Sequence, residues 1–237
     1  MKILIATVKE WNINNFYKLK NQLVQHEFFL VTNPNLLTLK VKEIKPNLIF
    51  FPHWSWKIEK EIYKNYKSIL FHMTDLPFGK GGSPLQNLII RGIYKTKISA
   101  IEVEEKLDNG KIYMKKEVDI SLGSAEEIFI KISNIIFFEM IPYLINNIDK
   151  IHPISQKGEE IFFKRRKEKD SNLLSLKEIN IDKLYDFIRM LDAPEYPNAY
   201  IKIGNLKIKF KEVHKKYNKL VGRFEIEEDT NNSSSPR

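Results

Sequence analysis

Apolar residues come in short blocks through the first part of the chain, alternating with stretches of helical spacing. Residues 2–8 (KILIATV), 27–32 (EFFLVT), 47–51 (NLIFF) and 68–71 (SILF) are compact and rich in β-branched and aromatic side chains. Such runs read as strands buried on both faces. Residues 12–25 place Ile13, Phe16, Tyr17, Leu19 and Leu23 at helical intervals, with Asn12 as a cap. Residues 36–45, stopped by Pro46, and 58–66 read as further helices, and residues 84–91 as another. Residues 94–105 and 111–118 flank the turn Leu107-Asp108-Asn109-Gly110 and read as a hairpin. A long helix over 124–145 starts at Ser124, with Glu127 placed to complete a capping box.

Alternating strands and helices predict an α/β fold, with a Rossmann-like, mostly parallel sheet covered by helices on both faces. Composition shifts at residues 146–158 (NNIDKIHPISQKG), which read as a linker. Beyond it lie a short strand at 160–164, a basic run Lys164-Arg165-Arg166-Lys167, a helix at 182–191, and strands at 200–203, 207–213 and 220–226. The expected division is 1–150 as the main domain, 151–228 as a small, mainly β C-terminal region, and 229–237 (DTNNSSSPR) as a disordered tail.

Charge changes this picture little. The net charge of +9 arises from lysines interleaved with glutamates, as on solvated faces, so nucleic acid is not the expected partner. The longest apolar stretch, 128–145, is interrupted by Lys131, Ser133, Asn134, Glu139 and Pro142, which reads as a core helix and not a membrane span. No signal peptide is visible, and a cytoplasmic protein is expected. With no cysteine, thiolate ligands and a cysteine nucleophile are excluded. No His-x-His or His-x-x-x-His spacing occurs, so no metal is expected.

Two loops at predicted strand ends concentrate chemistry. One is Pro52-His53-Trp54-Ser55-Trp56. The other is His72-Met73-Thr74-Asp75-Leu76-Pro77-Phe78-Gly79-Lys80-Gly81-Gly82-Ser83. In a parallel sheet both open on the edge where such folds bind ligands. His53 and His72 could each exchange a proton near neutral pH. The glycines match neither a Walker loop nor a dinucleotide fingerprint. Asp108, taken alone, is an ordinary turn residue.

His72 with Thr74, Leu76-Pro77 and Gly81, then Ser83-Pro84-Leu85-Gln86, then Leu107-Asp108-Asn109-Gly110, resembles the folate-dependent formyltransferase family. The stretch Ile188-Arg189-Met190-Leu191-Asp192-Ala193-Pro194-Glu195-Tyr196-Pro197-Asn198-Ala199 resembles the start of the C-terminal region in that family's tRNA and sugar members. The wording around His72 is most similar to sugar N-formyltransferases of surface-glycan and nonulosonic acid pathways. The resemblance implies formyl transfer from 10-formyltetrahydrofolate to the primary amine of a nucleotide-linked amino sugar. It implies His72 and Asp108 as the catalytic pair, with His53 and Thr74 as further candidates. The folate would lie against Pro52, His53, Trp54, Trp56, Ile58, Leu107 and Asp108. The acceptor would meet Lys9, Trp11, Asn12, Met73, Thr74, Asp75, Phe78, Gly79, Lys80, Gly81 and Gly82. A homodimer through the hairpin-rich C-terminal region is a further expectation. The chain departs from the family at one position. Leu70 stands where the family places an asparagine two residues before the histidine. Two alternatives therefore stand beside the sugar reading: a methionyl-tRNA formyltransferase-like enzyme, and a non-catalytic α/β binding module.

Overall fold

The computed structural model describes residues 1–229, and its chain forms two compact units. The first comprises Met1–Pro84, Lys95–Asp119 and Phe129–Phe163; the second comprises Leu85–Tyr94, Ile120–Ile128 and the described residues after Phe163. Most of the expected tail, residues 230–237, lies outside the described residues. Asp229 is described; its amide donates to the Asn205 carbonyl at 2.8 Å and its carboxylate pairs with Lys202.

The first unit is built on a six-stranded sheet. Its elements run β1 (Lys2–Ala6), α1 (Glu10–Gln22), β2 (Glu27–Val31), α2 (Leu37–Ile44), β3 (Leu48–Pro52), α3 (Lys60–Asn65), β4 (Lys67–His72) and β5 (Phe78–Gly81). In chain order, helix α4 (Pro84–Ile89) comes next, its residues from Leu85 belonging to the second unit, and then β6 (Lys95–Glu102) and β7 (Ile112–Asp119) of the first. The sheet order is β2-β1-β3-β4-β6-β7; the first four strands are parallel, and β6 and β7 run antiparallel. The apolar runs are explained by burial. Every residue of β3 is buried, and Ile3, Leu4 and Ile5 of β1 are fully inaccessible. Each such side chain contributes about 1.5–3 kcal/mol through removal from water.

A continuous helical segment follows: α5 (Ala125–Ile135), a π-helical turn (Ile136–Met140) and α6 (Ile141–Asn147). It starts with the expected capping box: the Ser124 amide donates to Glu127 Oε2 at 2.8 Å, and the Glu127 amide donates to Ser124 Oγ at 3.2 Å. Its length and hydropathy would suffice to cross a membrane, but 56% of its apolar window is buried within the protein, as in a core helix.

Three differences from the sequence reading matter for the site. Helix α1 begins at Glu10, with Lys9 preceding it, so Asn12 is not its cap. The buried Asn12 amide instead donates to Thr7 Oγ1 at 2.9 Å and to the Pro52 carbonyl at 3.3 Å, joining the ends of β1 and β3. The glycine-rich stretch is not all loop, because Phe78–Gly81 forms β5, which pairs parallel with β8 (Ile161–Phe163). Residues 151–163, partly inside the stretch read as a linker, lie in the first unit. Ile154 exchanges two backbone hydrogen bonds with Ile112 at 2.8 and 3.0 Å, and Glu160 reaches Lys80.

The second unit contains α7 (Ile181–Arg189) and a meander of β9 (Ala199–Ile203), β10 (Leu206–Lys216) and β11 (Lys219–Glu228), ordered β11-β10-β9. Asn180 caps α7 by accepting from the Lys183 amide at 2.9 Å. Arg189, only 1% exposed, ties this unit together. Its Nε donates to Asp186 at 2.7 Å, and Nη1 donates to the carbonyls of Ile120 and Gly123 at 3.0 and 3.1 Å.

Candidate active site

All the chemistry expected of this chain falls within the first unit. Strands β3 and β4 are parallel neighbours, with Pro52 opposite Phe71, so His53 and His72 emerge from the same edge of the sheet. His72 ends β4 and is buried. Its Nε2 lies 2.8 Å from the Gly79 carbonyl, which can only accept, so Nε2 carries the proton. Nδ1 lies 3.5 Å from Asp108 Oδ1. When the ring is charged, an acceptor therefore faces each nitrogen.

Asp108 is held in an unusual pose. Its φ is +53°, in the left-handed region that aspartate tolerates better than most residues. Its second carboxylate oxygen accepts the Gly81 amide at 2.8 Å. Gly81 itself has φ +99°, and a Cβ there would come within 2.5 Å of the Phe163 carbonyl. Gly110, two residues after Asp108, is equally constrained, since a Cβ would meet the Glu102 carbonyl at 1.8 Å. The glycines thus let three backbone segments close around the His72 and Asp108 side chains.

The stretch after His72 is fixed from several sides. Thr74 Oγ1 donates to the same Gly79 carbonyl at 3.3 Å, and Ser99 Oγ donates to the Thr74 carbonyl at 2.7 Å. Lys80 is fully buried, with Nζ 2.8 Å from Asn109 Oδ1 and 2.7 Å from Glu160 Oε1. Hydrogen bonding to Lys80 lowers the Glu160 carboxyl below its usual range. Asp75 pairs with Lys97 at 3.1 Å and with Lys115; burial raises its carboxyl, but the two lysines outweigh that and leave it lowered. Of the residues expected to meet the acceptor, Asn12, Thr74, Asp75 and Lys80 are thus engaged within the fold. Phe78 packs edge-on to Phe163 at 5.5 Å, and Met73 is buried.

A second cluster surrounds His53. Its ring lies 5.7 Å from Trp11 and 4.8 Å from Phe129, and Trp11 stacks on Phe129 at 5.8 Å. Burial among these rings, then the Lys9 ammonium, pushes His53 down to about 3. His53 is therefore a neutral imidazole at physiological pH. Trp54 is buried between Phe51 and Trp56, whereas Trp56 is 46% exposed and Leu107 is 65% exposed. The indole nitrogens of Trp11 and Trp54 are buried and make no hydrogen bond among the described residues. A flat heteroaromatic ligand with acceptor atoms on its edge fits this donor set, as the pterin of a folate would.

Leu70 packs against Leu76, Ile101 and Ile112, on the same face of β4 as His72. Its side chain offers no hydrogen bond. No group of three or more His, Asp or Glu side chains arranged to hold a metal ion occurs among the described residues.

The chain is 48% identical to a solved methionyl-tRNA formyltransferase from Clostridium thermocellum, with a TM-score of 0.91, covering 96% of this chain and 99% of that one. The chain belongs to the formyltransferase family. Residues 168–227 match the family described as methionyl-tRNA formyltransferase, C-terminal domain. A methionyl-tRNA formyltransferase from Rickettsia massiliae is 29% identical over 150 residues, 63% of this chain and 48% of that protein, so the chain spans about half the length of the curated relative it matches. A sugar N-formyltransferase from Shewanella shares the fold at 16% identity, with a TM-score of 0.63 over 94% of this chain and 96% of that one.

Membership of the formyltransferase family was legible from His72 and the Leu-Asp-Asn-Gly turn. Three residues that build the site were not: Ser99, Gln156 and Phe163. Ser99 sits in an alternating strand, and Gln156 lies in a stretch whose composition reads as linker. No spacing rule marks either one.

Proposed function

We propose that this protein transfers a formyl group from 10-formyltetrahydrofolate to a primary amine, and that the amine belongs to a nucleotide-linked amino sugar. The observation that carries the first part is the buried His72–Asp108 pair, 3.5 Å apart, between the β4 end and the Leu-Asp-Asn-Gly turn. Bound folate would supply an activated formyl carbon. Trp54, Trp56, Ile58 and Leu107 would hold it, with the exposed Trp56 ring and Leu107 side chain offering the contact surface.

Formyl transfer joins the formyl carbon to the acceptor nitrogen, breaks that carbon's bond to the donor nitrogen, and moves one proton from the first nitrogen to the second. His72 is the catalytic residue for that proton. Its Nε2 proton rests on the Gly79 carbonyl and is exchangeable, while Asp108 holds charge at Nδ1. Leu70 supplies no donor for the formyl oxygen. Thr74 Oγ1 shares the Gly79 carbonyl with Nε2, and we assign that part to it.

The sugar acceptor is favoured by the charge arrangement of the C-terminal sheet. Lys209 pairs with Glu227 at 2.6 Å, Lys211 with Glu225 at 2.8 Å and Arg223 with Glu212 at 2.9 Å, while Lys207 pairs with Glu168 and Lys215 with Asp182. Cations neutralised in place offer little to a polyanion. The second reading, formylation of methionyl-tRNA, is favoured by the names of the relatives. Incubation with 10-formyltetrahydrofolate and, separately, nucleotide-linked amino sugars and charged initiator tRNA tests both. Tetrahydrofolate release with a sugar alone supports the proposal. Release with tRNA alone replaces the acceptor, and release with neither refutes formyl transfer.

A further inference from the structure

Asp108 faces His72 only while its turn is held in place, and one side chain does much of that holding. Gln156 Nε2 donates to the Asp108 carbonyl at 2.8 Å and to the Gly110 carbonyl at 2.9 Å. Both partners are carbonyls, so the amide orientation is fixed by its neighbours. The two bonds clasp the turn on either side of Asn109. They act on the backbone of a residue with φ +53°, a conformation that surrounding contacts must maintain. Gln156 is itself set by the strap that carries it: Ile154 is bonded to Ile112 on one side, and Glu160 meets Lys80 on the other.

We propose that Gln156 is a positioning residue, whose amide clasps the turn that presents Asp108 to His72. The proposal uses the assignment of His72 and Asp108 made above for its kinetic consequence, while its geometric consequence is independent of any reaction. Removing the clasp lets the turn relax. The Asp108 carboxylate then leaves both Nδ1 of His72 and the amide of Gly81, which it currently accepts at 2.8 Å. Gln156 touches neither ring nitrogen of His72, so its effect on turnover passes through Asp108.

Two variants separate this role from a general loss of packing. Gln156→Glu keeps the shape but sets carboxylate oxygens against two carbonyls. Gln156→Leu keeps the bulk and deletes the donor. Lys157→Ala, an exposed neighbour, is the control. The full-length protein is examined by NMR, without ligand, through the Gly81 amide and the His72 ring nitrogens. Both Gln156 variants are expected to increase exchange of the Gly81 amide about tenfold and to move the His72 ring nitrogen signals, with Lys157→Ala unchanged. Turnover is expected to fall about tenfold in kcat with little change in donor KM, as when other supporting residues of a site are lost. Unchanged Gly81 exchange and His72 signals in folded variants would overturn the proposal. If the wild-type protein transfers no formyl group, the NMR comparison still decides the role of Gln156, and only the formyl reading fails.

Discussion

At the scale of single residues, the proposed mechanism gives His72 and Asp108 different work, and substitutions should separate them. His72→Asn removes the exchangeable Nε2 proton; turnover should fall by about 10²–10⁴-fold, the usual range for losing a general acid–base group. Asp108→Asn keeps the Gly81 hydrogen bond but not the charge, and turnover should fall less, with the circular dichroism spectrum unchanged. Equal, full activity in both variants would remove the pair from the mechanism. His53 gives a pH prediction. Its folded value is near 3, below the ordinary value of 6.5, so between these limits the unfolded chain binds a proton that the folded chain does not. Stability from neutral His53 is complete above about pH 6.5 and declines as pH falls, by up to about 1.4 kcal/mol per unit. Urea unfolding at pH 7.5 and 5.0 should show a loss about 2 kcal/mol larger in the wild type than in His53→Asn, a change compatible with the positive φ at that position. Parallel losses would place the His53 ring in contact with water. The sequence identified both histidines because each follows an apolar run. It could not distinguish the neutral His53 from His72 with its facing carboxylate, because Phe129 and Asp108 reach them from distant parts of the chain.

At the scale of elements, the site is a junction of three segments: β5, the Leu-Asp-Asn-Gly turn and the strap 154–163. Gly110 is where the turn passes closest to β6. Gly110→Ala would drive a methyl group into the Glu102 carbonyl, which is backbone and cannot swing aside. The hairpin of β6 and β7 must shift, and the expected cost is about 3 kcal/mol, at the upper end for overpacking. A thermal melt reads this directly, and a melt within a degree of the wild type would mean the turn can slide. The strands of the main sheet were legible because burial on both faces leaves continuous apolar runs. Strand β5 was not: Phe78-Gly79-Lys80-Gly81 has two glycines and a lysine, and pairs with only the three-residue β8. The strap was legible only at its end, where residues 160–164 read as a strand and β8 forms; the stretch before it was not. Its anchors are two backbone bonds at Ile154, one amide and one buried lysine partner, and none of these leaves a periodic pattern.

At the scale of the whole molecule, the excess of basic residues must be weighed against where they point. The chain carries 39 lysines and arginines against 30 acidic residues, a net +9 that composition alone would assign to a nucleic-acid partner. In the C-terminal sheet, six basic side chains are each paired with a carboxylate, and Lys209, Lys211 and Arg223 pair across adjacent strands. Exposed pairs of this kind contribute little to stability, but they cancel the local field that a phosphate backbone would feel. Binding of a nucleotide-linked sugar involves two phosphates at most, so its KM should rise only a few-fold between 50 and about 200 mM salt. An enzyme engaging 6–10 phosphates of a tRNA would lose about 10³–10⁵ in affinity over the same range, on the duplex-DNA scale. Measuring the KM of whichever acceptor reacts at those two salt concentrations therefore tests the charge argument separately from acceptor identity. A steep slope would mean that unpaired cations elsewhere on the chain form the docking surface, and that the paired lysines of the hairpin are irrelevant to it.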